Sequence, residues 1–140
     1  MSYYFFYGTL LDRDVFFTVL LRDQDELFER DLTVKNFSRF KVEGEEFPVL
    51  LPELNNEVEG KIFRIPHNLI ERLHFFEDVG FDFKVKSFEF SYKNNEVFYF
   101  SPTSELKVMK TYWNYDEFQE VKEEYVKSCF KLMKEMKYLE

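Results

Sequence analysis

This 140-residue sequence contains one cysteine, four glycines, four prolines and fewer basic than acidic residues. The single cysteine, Cys129, excludes an internal disulfide and any metal site built from several cysteines. The 19 lysines and arginines stand against 27 aspartates and glutamates, and the net charge of −8 repels a phosphate backbone. We therefore expect no binding to nucleic acid. No linker, repeat or low-complexity tract interrupts the chain, so we expect one domain over residues 1–140.

The sequence also lacks the features that direct a chain to a membrane. No apolar run approaches the length of a membrane-spanning helix, and the N-terminus has no basic region, sustained apolar stretch or small-residue cleavage site. We therefore expect a cytoplasmic protein with no membrane partner. The sequence leaves the oligomeric state open between a monomer and a homodimer.

Aromatic residues are abundant: they make up 21% of the chain and include 19 phenylalanines. Such residues can stack on nucleic-acid bases, but the negative charge argues against that use. Apolar residues make up 45% of the chain and charged residues 33%, a balance typical of a globular domain. We therefore expect most of the aromatic side chains to form a core.

Runs of aromatic and β-branched residues predict five strands. A change of phase within the fourth run predicts a bulge near Lys86. The predicted strands are Ser2–Tyr7, Leu32–Phe40, Val58–Ile65, Phe83–Tyr92 and Glu96–Phe100.

Two stretches outside these strands have helical periodicity and an apolar face. Asp12 can cap a short helix whose apolar positions are Val15, Phe16, Val19 and Leu20. A longer helix from Asp116 carries an apolar stripe, which is typical of a helix packed on its own sheet but could also bind a partner protein. Cys129 lies in this stripe, which indicates a small buried hydrophobe rather than a nucleophile. The stripe consists of Phe118, Val121, Tyr125, Cys129, Leu132 and Met136.

A third helix should begin at Pro66 and end near Glu77 or Asp78. At about 100° per residue, Glu77 falls between Leu73 and Ile70, inside the apolar arc of this helix. A buried carboxyl group has a raised pKa or finds hydrogen-bond donors, and a raised pKa suits general acid/base catalysis. The alternative is that the last turn frays and Glu77 points to solvent.

The first strand runs directly into the loop Gly8-Thr9-Leu10. A simple turn explains the glycine, because glycine allows a sharp change of direction. The other interpretation is that the loop presents a row of backbone amides to a ligand. The local sequence alone leaves both interpretations open.

Several motifs occur in a characteristic order along the chain. "FFYGTL", which ends in Tyr7–Leu10, matches an apolar strand followed by Tyr-Gly-[Ser/Thr]-Leu. "FPVLLPELNNEVEGKIFRI" supplies a proline, Pro48, and a Val-x-Gly at Val58 and Gly60. "LHFFEDVGF" matches a helix that ends in Leu-Asp-x-[aromatic]-Glu, and "VFYF" and "TYWNYDEF" follow. In this order the motifs resemble the gamma-glutamylcyclotransferase-like family, particularly its gamma-glutamylamine cyclotransferase branch.

The resemblance implies a small mixed α+β domain with a barrel-like sheet, a few packed helices and an active site at the barrel mouth. The implied reaction releases an amine from a γ-glutamyl amine or γ-glutamyl amino acid and forms 5-oxoproline. Glu77 would be the general acid/base, and the amides of Gly8, Thr9 and Leu10 would bind the substrate. Tyr7 and Tyr99 would line the pocket or pack in the core.

The sequence departs from the family pattern near the matched glutamate. His74 stands where the family usually has aspartate, Phe81 or Phe83 stands where it has Tyr-x-Arg, and no Gly-Asp precedes Trp113. Phenylalanines in place of Tyr-x-Arg would offer fewer charged contacts to the leaving amine. We therefore expect γ-glutamyl amines with apolar or aliphatic tails to be better substrates than glutathione.

No cofactor or metal is implied. His67 and His74 have no accompanying carboxylate pattern, and we expect both to be exposed. The main alternative to an enzyme is a non-catalytic small-molecule binding module on the same fold. A protein-interaction domain that uses the C-terminal helix has only the apolar stripe in its favour.

Overall fold

The structure is a computed structural model that describes residues 1–136. One six-stranded sheet, curled into a half-barrel, carries the helices, so the expected mixed α+β class is confirmed. The sheet order is β4-β5-β1-β3-β2-β6, in which β1 runs parallel to β5 and the other neighbours are antiparallel. The strands are β1 (Ser2–Phe6), β2 (Phe28–Val42), β3 (Pro48–Ile65), β4 (Phe83–Tyr92), β5 (Asn95–Pro102) and β6 (Val108–Tyr112).

The helices are α1 (Arg13–Leu20), α2 (Gln24–Leu27), α3 (His67–Phe76) and α4 (Tyr115–Met136), with a 3₁₀ turn at Thr9–Leu11. The sequence predicted α1, α3 and α4 but not α2, which is one turn long. It also missed β6, whose five residues are all exposed and therefore show no apolar alternation.

Strands β2 and β3 are longer than predicted and are bent together. The register of their pairing shifts between Lys35 and Phe37, opposite the segment of β3 that follows Pro52. Asn36 and Asn55 adopt left-handed backbone angles there, and the Asn55 amide donates to Asn36 Oδ1 at 3.1 Å. Asparagine tolerates left-handed backbone angles better than most residues. Pro52 lies at the edge of this register shift, and a bulge is one of the few places where a proline fits within a strand.

Strand β4 contains the predicted bulge. Lys86 still pairs regularly with Tyr99, and the shift in register falls between Ser87 and Ser91. A bulge is therefore present near Lys86, as predicted, and the change of apolar phase does not show which residue is unpaired.

Alternation along β1 divides the aromatic residues between two cores. Tyr4 and Phe6 belong to the core beneath the helices, where Phe6, Phe16 and Phe63 are in ring contact. The other face of β1 contributes to a second core inside the curl of the sheet. These two cores confirm the expectation that most of the aromatic side chains are core residues. Its buried members are Tyr3, Phe5, Tyr7, Val34, Leu50, Val58, Ile62, Val97 and Tyr99.

Helix α1 packs as expected, whereas α4 departs from its predicted stripe at one position. The Asp12 carboxylate accepts from the Asp14 and Val15 amides, and the four predicted apolar positions of α1 are buried. Along α4, Cys129 is buried but Val121 is 38% exposed, so Val121 was wrongly included in the buried stripe. No helix in residues 1–136 is both long and apolar enough to span a membrane.

Candidate active site

A cavity of about 750 Å³ lies where the end of β1, the 3₁₀ turn, the end of α3 and one side of α4 meet. The segment between β2 and β3 supplies another wall, through Glu45, Phe47 and Pro48. Five residues predicted for the site lie in this lining: Tyr7, Gly8, Thr9, Leu10 and Glu77. The fold thus brings together two motifs that are almost 70 positions apart in the sequence.

The loop after β1 is fixed through its carbonyl groups. Arg39 Nη1 donates to the Tyr7 carbonyl at 3.1 Å, and Gln24 Nε2 donates to the Leu10 carbonyl at 3.0 Å. The Gly8 and Thr9 carbonyls accept from the next turn of backbone. Within residues 1–136, the amides of Gly8, Thr9 and Leu10 have no such partner. The loop therefore has three N–H groups without a hydrogen-bond partner among the described residues, and all three residues line the cavity.

Close packing also requires glycine at position 8. A Cβ atom built on Gly8 would lie 2.6 Å from Pro48 Cγ and 2.8 Å from Pro48 Cδ. These distances are shorter than real Cβ contacts, so any side chain would displace the proline or the loop. The matched Tyr-Gly-Thr-Leu and proline motifs are thus in direct contact.

Glu77 follows the last residue of α3, and its amide still bonds to the Leu73 carbonyl at 3.0 Å. The helix therefore holds Glu77 in place rather than fraying before it. The residue is half-buried because it lines the open cavity, yet desolvation by the surrounding protein raises the pKa of its carboxyl group to about 8. No hydrogen bond from a described residue offsets this shift. The carboxyl group can therefore gain and lose a proton near neutral pH.

The two tyrosines predicted for the site have different positions. Tyr7 lines the cavity, and its hydroxyl donates to the Phe100 carbonyl at 2.8 Å. Tyr99 does not line the cavity: it stacks on Phe88 in the second core, with ring centroids 4.3 Å apart. Since side chains alternate along β5, its neighbour Phe100 occupies the cavity wall instead.

Residues of α4 contribute to the cavity in a way that the sequence did not reveal. Tyr125 OH lies 3.2 Å from Thr9 Oγ1, so the helix contacts the amide loop directly. Cys129 also lines the cavity, and burial, together with the nearby Glu77, raises the pKa of its thiol to about 12. The thiol therefore stays protonated, in agreement with its prediction as an unreactive hydrophobe. Both residues belong to the predicted apolar stripe, but helical periodicity does not distinguish a cavity wall from a core.

The two histidines also differ from each other. His67 is exposed, as expected, but His74 is half-buried in the cavity lining, so that expectation was wrong for His74. Its Nε2 atom lies 2.8 Å from Tyr4 OH, and desolvation lowers the pKa of the imidazole. His74 is thus an uncharged ring where the family pattern has a carboxylate.

Comparison with known proteins places this chain within a family. The family described as "Gamma-glutamyl cyclotransferase, AIG2-like" matches residues 4–124, so the chain belongs to that family. AIG2-like protein C of Arabidopsis thaliana is 32% identical over 81 residues, which are 57% of this chain. The match covers 45% of that relative, so the chain spans about half the length of the relative it matches.

Two solved structures illustrate the similarity in fold. A solution structure of an Arabidopsis thaliana protein has a TM-score of 0.62 at 19% identity and covers 98% of this chain and 84% of its own. A structure named Gamma-glutamyl cyclotransferase has a TM-score of 0.63 at 13% identity, with coverage of 91% and 85%. At these identities the likeness establishes the fold.

Proposed function

We propose that this protein is a γ-glutamyl cyclotransferase that converts a γ-glutamyl amine or γ-glutamyl amino acid into 5-oxoproline and a free amine. The α-amine of the substrate attacks its own γ-carbonyl carbon, a new C–N bond closes the ring, and the bond to the leaving nitrogen breaks. Because nucleophile and electrophile belong to one molecule, holding the substrate folded supplies much of the acceleration. The reaction needs no covalent enzyme intermediate and no cofactor.

The observation that carries this proposal is the placement of Glu77 in one cavity with the three available amides. The α-amine is a nucleophile only after its ammonium form loses a proton, and the Glu77 carboxylate can accept that proton. The protonated Glu77 can then give a proton to the leaving nitrogen. A pKa of about 8 suits both transfers, since the group exchanges its proton readily at that pH.

The amides of Gly8, Thr9 and Leu10 would supply the electrostatic part of catalysis. The γ-carbonyl oxygen becomes negative when the amine attacks, and fixed N–H donors stabilise such an oxyanion. The same donors could instead bind the substrate α-carboxylate. In either role the loop would bind only the γ-glutamyl group of the substrate. The rest of the cavity would therefore select the leaving amine.

Replacement of the proposed acid/base tests this function. Glu77→Gln keeps the size of the side chain but cannot exchange the proton, so we expect 5-oxoproline release to fall by roughly 10²-fold or more. The measurement is mass spectrometry of 5-oxoproline with γ-glutamyl amines, γ-glutamyl amino acids and glutathione as substrates. Glu123→Gln, an exposed change on α4, serves as the matched control and should keep wild-type turnover.

Two results would contradict the proposal in different ways. Wild-type turnover by Glu77→Gln would remove Glu77 as the acid/base. Tight binding of γ-glutamyl compounds without any turnover by the wild-type protein would identify a binding module, for which the replacement of the family's aspartate by His74 is the supporting observation. A clear preference for glutathione would contradict the expected preference for amines with apolar or aliphatic tails.

A further inference from the structure

We propose that a second cavity, on β2 and β3 beside the 3₁₀ turn, binds a small zwitterion such as an α-amino acid, and that this ligand weakens the amide donor at Gly8. Arg39 would bind the carboxylate of the ligand, and Glu59 would bind its ammonium group. The binding is independent of the proposed function, whereas its effect on turnover rests on that function.

The second cavity has a volume of about 620 Å³ and shares no described lining residue with the first. Its walls come from β2 and β3, from Leu11 at the end of the 3₁₀ turn and from Tyr115 at the start of α4. Residues 8–10 line the first cavity and Leu11 lines the second, so one short loop contributes to both. A ligand in the second cavity can therefore influence this loop without occupying the substrate site.

Two of the four charged side chains in this lining neutralise each other. Lys61 Nζ lies 3.1 Å from Asp31 Oδ1 and 5.1 Å from the centroid of the Phe28 ring. The other two, Arg39 and Glu59, belong to none of the ion pairs found among residues 1–136. The lining thus has one positive and one negative charge without an ion-pair partner in the described chain.

The sheet holds these two charges apart. Arg39 pairs with Leu50 and Glu59 pairs with Thr33, so the two residues occupy different positions along the β2–β3 ladder. Desolvation lowers the pKa of the Arg39 guanidinium, and the charge of Glu59 partly offsets this shift. The two groups are therefore close enough to interact but too far apart to form a salt bridge. A ligand that carries both charges can bridge them.

Arg39 is half-buried and has unused hydrogen-bond donors. Its Nη1 donates to the Tyr7 carbonyl at 3.1 Å, and its Cζ lies 5.4 Å from the centroid of the Trp113 ring. The other N–H groups of the guanidinium have no acceptor among the described residues. A guanidinium binds a carboxylate through two parallel hydrogen bonds. A simple anion would be repelled by the acidic groups of the lining and a simple cation by its basic groups, so the lining favours a zwitterion.

The coupling to the first cavity runs through one peptide group. The Tyr7 carbonyl and the Gly8 N–H belong to the same planar unit. A charged donor on this carbonyl makes the N–H a stronger donor, because linked hydrogen bonds polarise one another. The carbonyls of Gly8 and Thr9 accept from backbone amides, which carry no charge. A ligand carboxylate on Arg39 would neutralise the charged donor and so weaken the Gly8 amide in the first cavity.

Trp113, the only tryptophan of the chain, reports binding directly. Its fluorescence should change when the charge of Arg39 beside its ring is neutralised. The probes are L-alanine, propionate and ethylamine, which carry both charges, only the carboxylate and only the ammonium group on nearly the same carbon skeleton. We expect L-alanine to bind on the order of tenfold more tightly than either of the others at low salt.

Two results of this titration would contradict the proposal. Propionate or ethylamine that binds as tightly as L-alanine would overturn the zwitterion as the ligand class. No fluorescence change with any of the three probes at millimolar concentration would overturn the site.

Two variants assign the charges. Arg39→Gln and Glu59→Gln should each weaken L-alanine binding by roughly tenfold. Glu59 is exposed, so its variant tests the site even if Arg39→Gln fails to fold. Glu57→Gln, an exposed change on the same strand that lines neither cavity, should keep wild-type affinity. Wild-type affinity in Glu59→Gln would overturn the assignment of the ammonium group.

The effect on turnover separates the second site from the proposed function. With a γ-glutamyl amine as substrate, saturating L-alanine should lower 5-oxoproline release by roughly fivefold or more in the wild-type protein. The same concentration should inhibit Glu59→Gln much less. Inhibition that Glu59→Gln does not relieve would place L-alanine in the first cavity and overturn the coupling.

The two readouts fail in different ways. A change in Trp113 fluorescence without inhibition would overturn the coupling and leave the second site standing. No 5-oxoproline from the wild-type protein with any γ-glutamyl substrate would overturn the proposed function, and the coupling with it. The fluorescence titration would still decide the second site.

Discussion

The carboxyl group of Glu77 should make activity depend on pH in a defined direction. Its pKa is about 8 because burial disfavours the charged form, and only the charged form can accept a proton from the substrate ammonium. We therefore expect kcat/KM to rise as pH increases from 6 to 9, with a midpoint near 8. A pH profile of 5-oxoproline release with a γ-glutamyl amine measures this directly.

The raised pKa of Glu77 also makes the stability of the protein depend on pH. The folded protein holds this proton between about pH 4.5 and 8, whereas the unfolded chain releases it near 4.5. The contribution of Glu77 to the free energy of unfolding is thus complete below pH 4.5 and is lost as pH rises through 8. Glu77→Gln should lack this loss in urea denaturation. A wild-type pH profile with its midpoint near 4.5 would contradict both expectations.

Sequence periodicity indicated an inward Glu77 but left Tyr99 open between the pocket and the core. The helical arc of α3 has apolar neighbours on both sides of Glu77, so its inward direction follows from local geometry alone. Tyr99 lies in a strand whose two faces are both apolar, with Tyr99 and Phe100 both buried. The pattern of β5 therefore does not indicate which of these two neighbours faces the cavity.

The start of α1 is joined to α4 through one buried carboxylate. Asp12 is 3% exposed, caps α1 and lies 2.8 Å from Lys122 Nζ. Asp12→Ala should destabilise the protein by about 1–2 kcal/mol through the lost cap, with a further loss through the broken ion pair to Lys122. Asp12→Asn should cost less, because asparagine also caps helices well. Urea denaturation measures both changes.

Asp14 provides the control for this prediction. Its carboxylate also pairs with Lys122, at 2.9 Å, but Asp14 is exposed and does not cap the helix. Asp14→Ala should therefore cost less than about 1 kcal/mol. An equal cost for Asp12→Ala and Asp14→Ala would show that the cap contributes nothing.

Helices and strands were predicted best where one face is buried and the other is exposed to solvent. The apolar faces of α1 and α3 follow from the sequence because each of these helices has a core on one side. The all-exposed β6 and the one-turn α2 have no such signal. Helix α4 was found from its stripe, but its contact with the amide loop through Tyr125 depends on how the helix crosses the domain.

Strands β1 and β3 are paired antiparallel, and both supply side chains to both cores of the molecule. Gly60 of β3 lies against the Phe6 carbonyl and the Phe5 ring, and a Cβ atom built there would be 2.6 Å from Phe5 Cζ. Gly60→Ala should push the two strands apart and disturb both cores, which lowers the free energy of unfolding by about 1–3 kcal/mol or more. Urea denaturation of Gly60→Ala against the wild-type protein measures the loss.

An exposed change on the same strand is the comparison for Gly60. Glu57→Ala removes an exposed side chain that lines no cavity and should change stability by less than about 0.5 kcal/mol. If Gly60→Ala were as stable as Glu57→Ala, β1 and β3 could move apart at Gly60 without a loss in the free energy of unfolding.

The sequence by itself carried the family motifs, whose resemblance implied the α+β class, and it marked the two main site elements, because periodicity and glycine placement are local properties of the chain. Only the tertiary structure showed that Pro48 packs on Gly8, that Tyr125 reaches Thr9, and that Glu45 and Asp82 line the same cavity. These contacts join distant segments, and their geometry depends on strand register, on bends such as that at Asn36 and on the direction of α4. The order of apolar and polar residues along the chain carries no information about this geometry. Tertiary packing therefore decides which side chains line the cavity.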